Sequence, residues 1–161
     1  MKHKQIAALI RCFGWIVLSE CAGFVGSIFT FSAIPTWYAS LVKPVFSPPN
    51  WLFGPVWTTL YALMGIAAYR ISVRGRSKKF DQQSIRLFLW HLVVNALWSI
   101  VFFGLRNIGG GLVVIGALWV MIAVLIARFW KTDRIAAALL LPYIAWVSFA
   151  SLLNYQLWLL N

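Results

Sequence analysis

The sequence predicts an all-α polytopic membrane protein, a bundle of five transmembrane helices, and three observations predict it. Hydrophobic residues fill 62% of the 161 positions and charged residues only 11%, against about 25% charged in a soluble domain. That leaves too little polar surface to cover a water-soluble globule, so the solvent is lipid. Five apolar runs, at 6–31, 51–71, 85–105, 109–129 and 135–160, each meet the roughly 17–25 residues a bilayer requires. Finally, twelve of the fourteen Lys and Arg residues fall on one side of the membrane if all five runs span it. Alternating strands of a membrane barrel are not seen, and at this length the chain reads as one domain, 1–161.

The first run follows Lys2 and Lys4, as a secretory signal would. It is too long for a signal core and is interrupted by Arg11 and Glu20, so it reads as a retained helix. Ser19, Gly23 and Ser27 recur every four residues, a close-packing face for another helix. Cys12 and Cys21 lie nine residues apart, about 13.5 Å along a helix, too far for an internal bridge; they read as small buried residues.

Between the first two runs lies a lid segment, 32–50, rich in proline and aromatics: Trp37, Tyr38, Pro44, Phe46, Pro48, Pro49, with Trp51 following. Proline restricts the chain before any ligand arrives, which lowers the entropy cost of holding a cover over the bundle mouth. The connection 72–84 is basic and polar and reads as a solvated loop, as does the short one at 130–134. Arg106-Asn107-Ile108-Gly109-Gly110-Gly111 reads as a tight reversal that the glycines permit. Pro55 and Pro142 fall inside the second and fifth runs, where each can bend its helix.

The cations assign the sides. Lys2, Lys4 and Arg11, then Arg70, Arg74, Arg76, Lys78, Lys79 and Arg86, then Arg128, Lys131 and Arg134 share one face, leaving Lys43 and Arg106 opposite. This positive-inside bias predicts a cytoplasmic amino terminus and an outer carboxyl terminus. The net charge of +11 thus reflects orientation and contact with anionic lipid rather than nucleic-acid binding.

Polar side chains at membrane depth are few. Glu20 sits mid-helix, where a charge costs on the order of 2.5–3.5 kcal/mol. It prompts a proton-coupled exporter as one reading and a carboxyl bonded to a neighbouring helix as the other. Trp57 and Tyr61 share a face of the second run. Asn95, Trp98, Ser99 and Phe102 cluster in the third, and Trp146, Ala150 and Asn154 follow helical spacing in the fifth. Such surfaces suit a flat, mostly apolar ligand with one or two acceptors, and equally suit helix packing with polar glue. Trp119 is a further deep indole, outside the aromatic belts. Two histidines and two separated cysteines form no metal set, no phosphate loop is present, and three acids cannot build a hydrolase triad.

Five motifs occur in order: Trp37-Tyr38-x-x-Leu41-x-Lys43-Pro44; Pro48-Pro49-x-Trp51; Pro55-x-Trp57-x-x-Leu60-Tyr61-x-Leu63-Met64-Gly65; Asn95-x-x-Trp98-Ser99-x-x-Phe102-Phe103; and Pro142-Tyr143-x-x-Trp146-x-x-Phe149-Ala150-x-x-Leu153-Asn154. On these the chain resembles the tryptophan-rich sensory protein/translocator protein family over nearly its whole length. The resemblance implies a five-helix bundle, often a homodimer, with a ligand cavity under the first loop. It implies no required cofactor; the ligands are porphyrins such as protoporphyrin IX, haem and isoquinoline carboxamides. By motif position Tyr38, Pro48, Trp57, Asn95, Trp146 and Ala150 correspond to pocket residues, with Trp57 and Asn95 the polar contacts; Tyr61, Trp98 and Asn154 complete the candidate set. Light-dependent porphyrin breakdown, with Trp57 and Trp146 in the chemistry, is the enzyme-class alternative to a receptor or carrier. His91 stands where the family commonly has glutamine. The animal sterol motif is incomplete, because no Lys or Arg follows Tyr155. The expected location is a bacterial cell membrane.

Overall fold

The computed structural model describes residues 2–74 and 78–161. Among them the chain forms helices α1 (Lys2–Ala33), α2 (Trp37–Ser40), α3 (Phe53–Arg74), α4 (Lys78–Ser99), α5 (Ile108–Thr132), α6 (Arg134–Ala138) and α7 (Leu141–Leu160). A 3₁₀ turn at Asn50–Leu52 leads into α3, and a π turn at Ile100–Gly104 closes α4. Five segments are long and apolar enough to cross a membrane: His3–Ala33, Asn50–Arg74, Lys79–Gly104, Ile108–Thr132 and Arg134–Leu160. The five-helix expectation therefore stands, and no strand occurs among the described residues.

The boundaries differ in an instructive way. The expected loop at 72–84 is helical on both sides of residues 75–77, which, Arg76 among them, lie outside the described residues. Lys, Arg and Gln are good helix formers; their polarity marks where the helix leaves lipid, not where it ends. Asp81 sits in the first turn of α4, where a negative charge suits the helix dipole, and its Oδ1 accepts from Thr132 Oγ1 at 2.8 Å. The fifth span is not continuous. It breaks at 139–140, just ahead of Pro142, which has no amide hydrogen to donate back to Ala138. Pro55, by contrast, falls in the first turn of α3, where an amide hydrogen has no intrahelical partner, so it bends nothing there.

Small residues set the packing of α1, which lies against α3 and α4. A Cβ on Gly65 would lie 2.5 Å from Ile16 Cα and 2.8 Å from the Trp15 carbonyl oxygen, so only glycine lets these two backbones meet. Ser19 is fully buried, and a Cβ on Gly23 would lie 2.3 Å from the Tyr61 ring. The small-residue face thus serves packing within the bundle. The remainder of α1, including Leu9, Phe13, Phe24 and Phe31, is exposed apolar surface fit for lipid. Cys12 is half-buried and Cys21 exposed, contrary to the buried placement expected, because α1 buries only one narrow stripe.

The reversal between the third and fourth spans does not use glycine φ freedom. No described glycine has positive φ; Arg106 does, at 53°. Asn107 then caps α5, its Oδ1 accepting from Gly110 N at 2.7 Å. What the glycines supply is space: a Cβ on Gly111 would lie 2.8 Å from the Phe102 ring and 3.1 Å from Asn154 Oδ1.

The basic end of the bundle is tied rather than merely solvated. Asp133, expected in a solvated connection, is only 7% exposed. It pairs with Arg70 at 2.8 Å and Arg74 at 3.3 Å, and caps α6 through Ile135 N and Ala136 N. Burial pushes its carboxyl upward, but hydrogen bonds from Arg70, Ala136 N and Ile135 N outweigh that and hold it below the ordinary value. A lowered folded pKa means stability present above the unfolded value and lost as pH falls through the folded one. The thermal midpoint of the detergent-solubilised protein should therefore fall below pH about 4 more steeply in wild type than in Asp133→Asn. Asp133→Ala should cost about 1–2 kcal/mol, a lost cap with a partly screened ion pair.

Candidate functional site

Segment 32–50 packs against the π turn and α7. The α2 turn buries Tyr38 against Phe102 and Phe103, with ring centroids at 6.4 and 5.8 Å. Lys43 Nζ donates to the Ala39 and Leu41 carbonyls and rests 4.9 Å above the Tyr38 ring. Further along, Phe46 meets Phe149 of α7 edge-on at 6.2 Å. Asn161 latches the lid to α7: its Oδ1 accepts from Val42 N at 3.0 Å, while its Nδ2 donates to the Val42 and Leu157 carbonyls at 3.1 and 2.9 Å.

Beneath lies a cavity of about 20 Å³, walled by Tyr38, Phe53, Trp57, Trp98, Phe102, Phe103 and Trp146, with Ala150, Leu153, Asn154 and Leu157 along α7. The π turn shapes one wall. Its wider i→i+5 bond, Leu105 N to the Ile100 carbonyl at 2.8 Å, presents Phe102 and Phe103 together, and such turns often accompany functional sites. The rings touch in series: Trp57 to Trp98 at 6.4 Å, Trp98 stacked on Phe102 at 5.5 Å, and Phe53 edge-on to Trp146 at 6.2 Å. Polar atoms are sparse. Asn154 Oδ1 accepts from Trp98 Nε1 at 3.3 Å, and its Nδ2 donates to the Ile108 carbonyl. Among the described residues Trp146 Nε1 is buried without a partner, while the Tyr38 hydroxyl has that of Ser47 beside it.

Of the residues chosen from sequence, Tyr38, Trp57, Trp98, Trp146, Ala150 and Asn154 line this cavity; Pro48, Tyr61 and Asn95 do not. Tyr61 and Asn95 belong to a second polar group deeper in the bundle. Tyr61 Oη donates to Asn95 Oδ1. Asn95 Nδ2 donates to Tyr143 Oη at 2.7 Å, and Tyr143 Oη lies 2.8 Å from His91 Nε2. Glu20 is half-buried on α1 and is not a lining residue. Trp119 faces outward and donates to Ser148 Oγ at 2.8 Å. Phe102, set beside Trp98 by its spacing, does line the cavity, but Phe53, Phe103, Leu153 and Leu157 were not anticipated as wall residues. The α7 pair was recoverable, because 146, 150, 153, 154 and 157 trace one helical stripe; the π turn left no readable signal.

Five apolar spans around an aromatic-walled, lidded interior define an integral membrane bundle with its candidate site inside the helices. The TspO/MBR family model matches residues 15–159, and the chain belongs to that family. It is 47% identical over 139 residues to the tryptophan-rich protein TspO of Archaeoglobus fulgidus, covering 86% of this chain and 89% of the relative. It is 41% identical to the protein of the same name from Chlorobaculum tepidum over 99% of both chains. The translocator protein of Bos taurus is 37% identical over 146 residues, covering 90% and 86% respectively.

Proposed function

We propose that the protein is a membrane receptor or carrier for planar, mostly apolar ligands bearing hydrogen-bond acceptors, tetrapyrroles such as protoporphyrin IX or haem foremost. The observation that carries this reading is an unsatisfied donor, Trp146 Nε1, in an otherwise apolar aromatic wall. A buried donor without an acceptor costs about 1–3 kcal/mol, and a guest with a carbonyl or carboxylate relieves that cost. Asn95 does not line the cavity, and its amide bonds Tyr61 and Tyr143 instead.

At about 20 Å³ the cavity has room for roughly one water molecule. A tetrapyrrole therefore enters only when the lid lifts and the indoles rotate apart. The lid is held to α7 through the Asn161 latch, so entry is gated on that side. The gathering of Arg70, Arg74 and Arg128 at the opposite end supports a cytoplasmic amino terminus and a mouth facing outward.

The test is fluorescence-quenching titration of the purified protein with protoporphyrin IX. Trp146→Phe keeps an aromatic ring but loses the indole donor and part of the stacking area. It should weaken binding at least about tenfold, the loss of one hydrogen bond of about 1.4 kcal/mol, whereas Tyr38→Phe, whose hydroxyl already has Ser47 beside it, should weaken it less. Unchanged affinity in Trp146→Phe would remove this donor from the site, and no measurable quenching in wild type would remove the ligand class.

A further inference from the structure

The buried chain Tyr61–Asn95–Tyr143–His91 takes no part in lining the cavity, yet it touches the wall through Trp57. Tyr143 and His91 are both fully buried, and the geometry settles who donates to whom. Asn95 Nδ2 can only donate, so Tyr143 Oη accepts from it at 2.7 Å. The phenolic hydrogen then points to the remaining neighbour, His91 Nε2 at 2.8 Å. That nitrogen must hold a lone pair, which leaves the ring hydrogen on Nδ1, facing the Phe88 carbonyl at 3.3 Å. The result is a phenol donating to a neutral imidazole, with no other titratable partner bonded to either group among the described residues. Helix-to-helix glue asks only for an acceptor; an imidazole is also a base.

The same phenol lies edge-to-face with the Trp57 indole at 6.2 Å, and Trp57 meets Trp98 at 6.4 Å. We infer that Tyr143 and His91 form a proton-coupled redox pair that drains an electron hole from the indole wall of the cavity. Light opens the hole in one of two ways: an excited aromatic chromophore in the cavity takes one electron from Trp57 and is reduced by one electron, or Trp57 is photo-ionised and the ejected electron reduces ferricyanide to ferrocyanide. Tyr143 then passes one electron to the indole radical cation and its phenolic proton to His91 Nε2. Trp57 returns to neutral indole, Tyr143 becomes a neutral tyrosyl radical and His91 becomes imidazolium. Return of the electron and proton resets the pair.

Tyr61 supplies an internal contrast. Its ring lies nearer Trp57, at 5.6 Å, but its proton rests on the amide oxygen of Asn95, which is no base. Proximity alone would select Tyr61; the proton acceptor selects Tyr143. The pair is a property of the protein alone and stands whichever guest the cavity takes.

The experiment is selective laser photo-ionisation of the tryptophans in ligand-free protein in detergent, with ferricyanide scavenging the ejected electron. Transient absorption follows the indole radical band giving way to the tyrosyl band. Wild type and Tyr61→Phe should both form the tyrosyl radical promptly, and Tyr143→Phe should lose that prompt phase. His91→Gln keeps an acceptor for the phenol but offers no base, so the transfer should slow by roughly a hundredfold, the contribution of a positioned proton acceptor. A purely structural hydrogen bond would leave the His91→Gln rate unchanged. No tyrosyl signal in wild type, a signal surviving in Tyr143→Phe, or an unaltered rate in His91→Gln would each overturn the inference. His91→Gln decides the matter if Tyr143→Phe does not fold.

Discussion

Gly65→Ala should destabilise the protein by about 2–4 kcal/mol, although alanine is the better helix former. In an open helix the change would gain up to about 1 kcal/mol. Here the new methyl group would sit 2.5 Å from Ile16 Cα and 2.7 Å from Ile16 N. Those are backbone atoms, so no rotamer change relieves the overlap; α1 and α3 must part. Separation would loosen Gly23 from Tyr61 as well, since both contacts belong to one face of α1. The control is Gly116→Ala on α5, where a Cβ meets nothing within 4 Å. It should be neutral or slightly stabilising. Thermal unfolding of the two variants in one detergent checks the pair, and equal midpoints would refute the close-approach account.

Asn95→Leu should cost about 2–3 kcal/mol while leaving ligand affinity per folded molecule nearly unchanged. Leucine matches the volume but strands the Tyr61 hydroxyl, whose acceptor is Asn95 Oδ1, and removes the donor to Tyr143. Three helices, α3, α4 and α7, lose their shared polar tie. Interhelical bonds in membranes average less than this, roughly 0.6 kcal/mol, but a single-sided deletion also leaves a buried donor unpaired. Because Asn95 is absent from the cavity wall, the effect should appear in unfolding and not in protoporphyrin titration. A large affinity loss with unchanged stability would return Asn95 to the ligand-contact role implied by family resemblance.

These two residues illustrate how far the chain can be read without its fold. Gly65 was visible within a motif, but nothing in the motif says that a backbone of α1 lies against it. Asn95 was visible as a rare amide at membrane depth; that it bonds two tyrosines rather than facing the cavity depends on α7 bringing Tyr143 alongside. Trp57, Trp98 and Trp146 were chosen because indoles deep in a span are poorly explained by interfacial belts, and all three line the cavity. Trp119 satisfied the same argument and faces outward. Depth along a helix is readable from sequence, but which way a residue faces is weakly coded when every face is apolar.

Hydropathy and charge placement alone determined the solvent, the number of spans and the gathering of cations at one end, because each follows from the cost of placing polar groups in hydrocarbon. That cost is paid residue by residue and needs no neighbour. Tertiary structure decided the rest: the π turn that turns Phe102 and Phe103 inward, the Asn161 latch, and the direction of each hydrogen bond from Tyr61 to His91. Those features arise from contacts between distant segments, whose partners are defined only once the helices have packed.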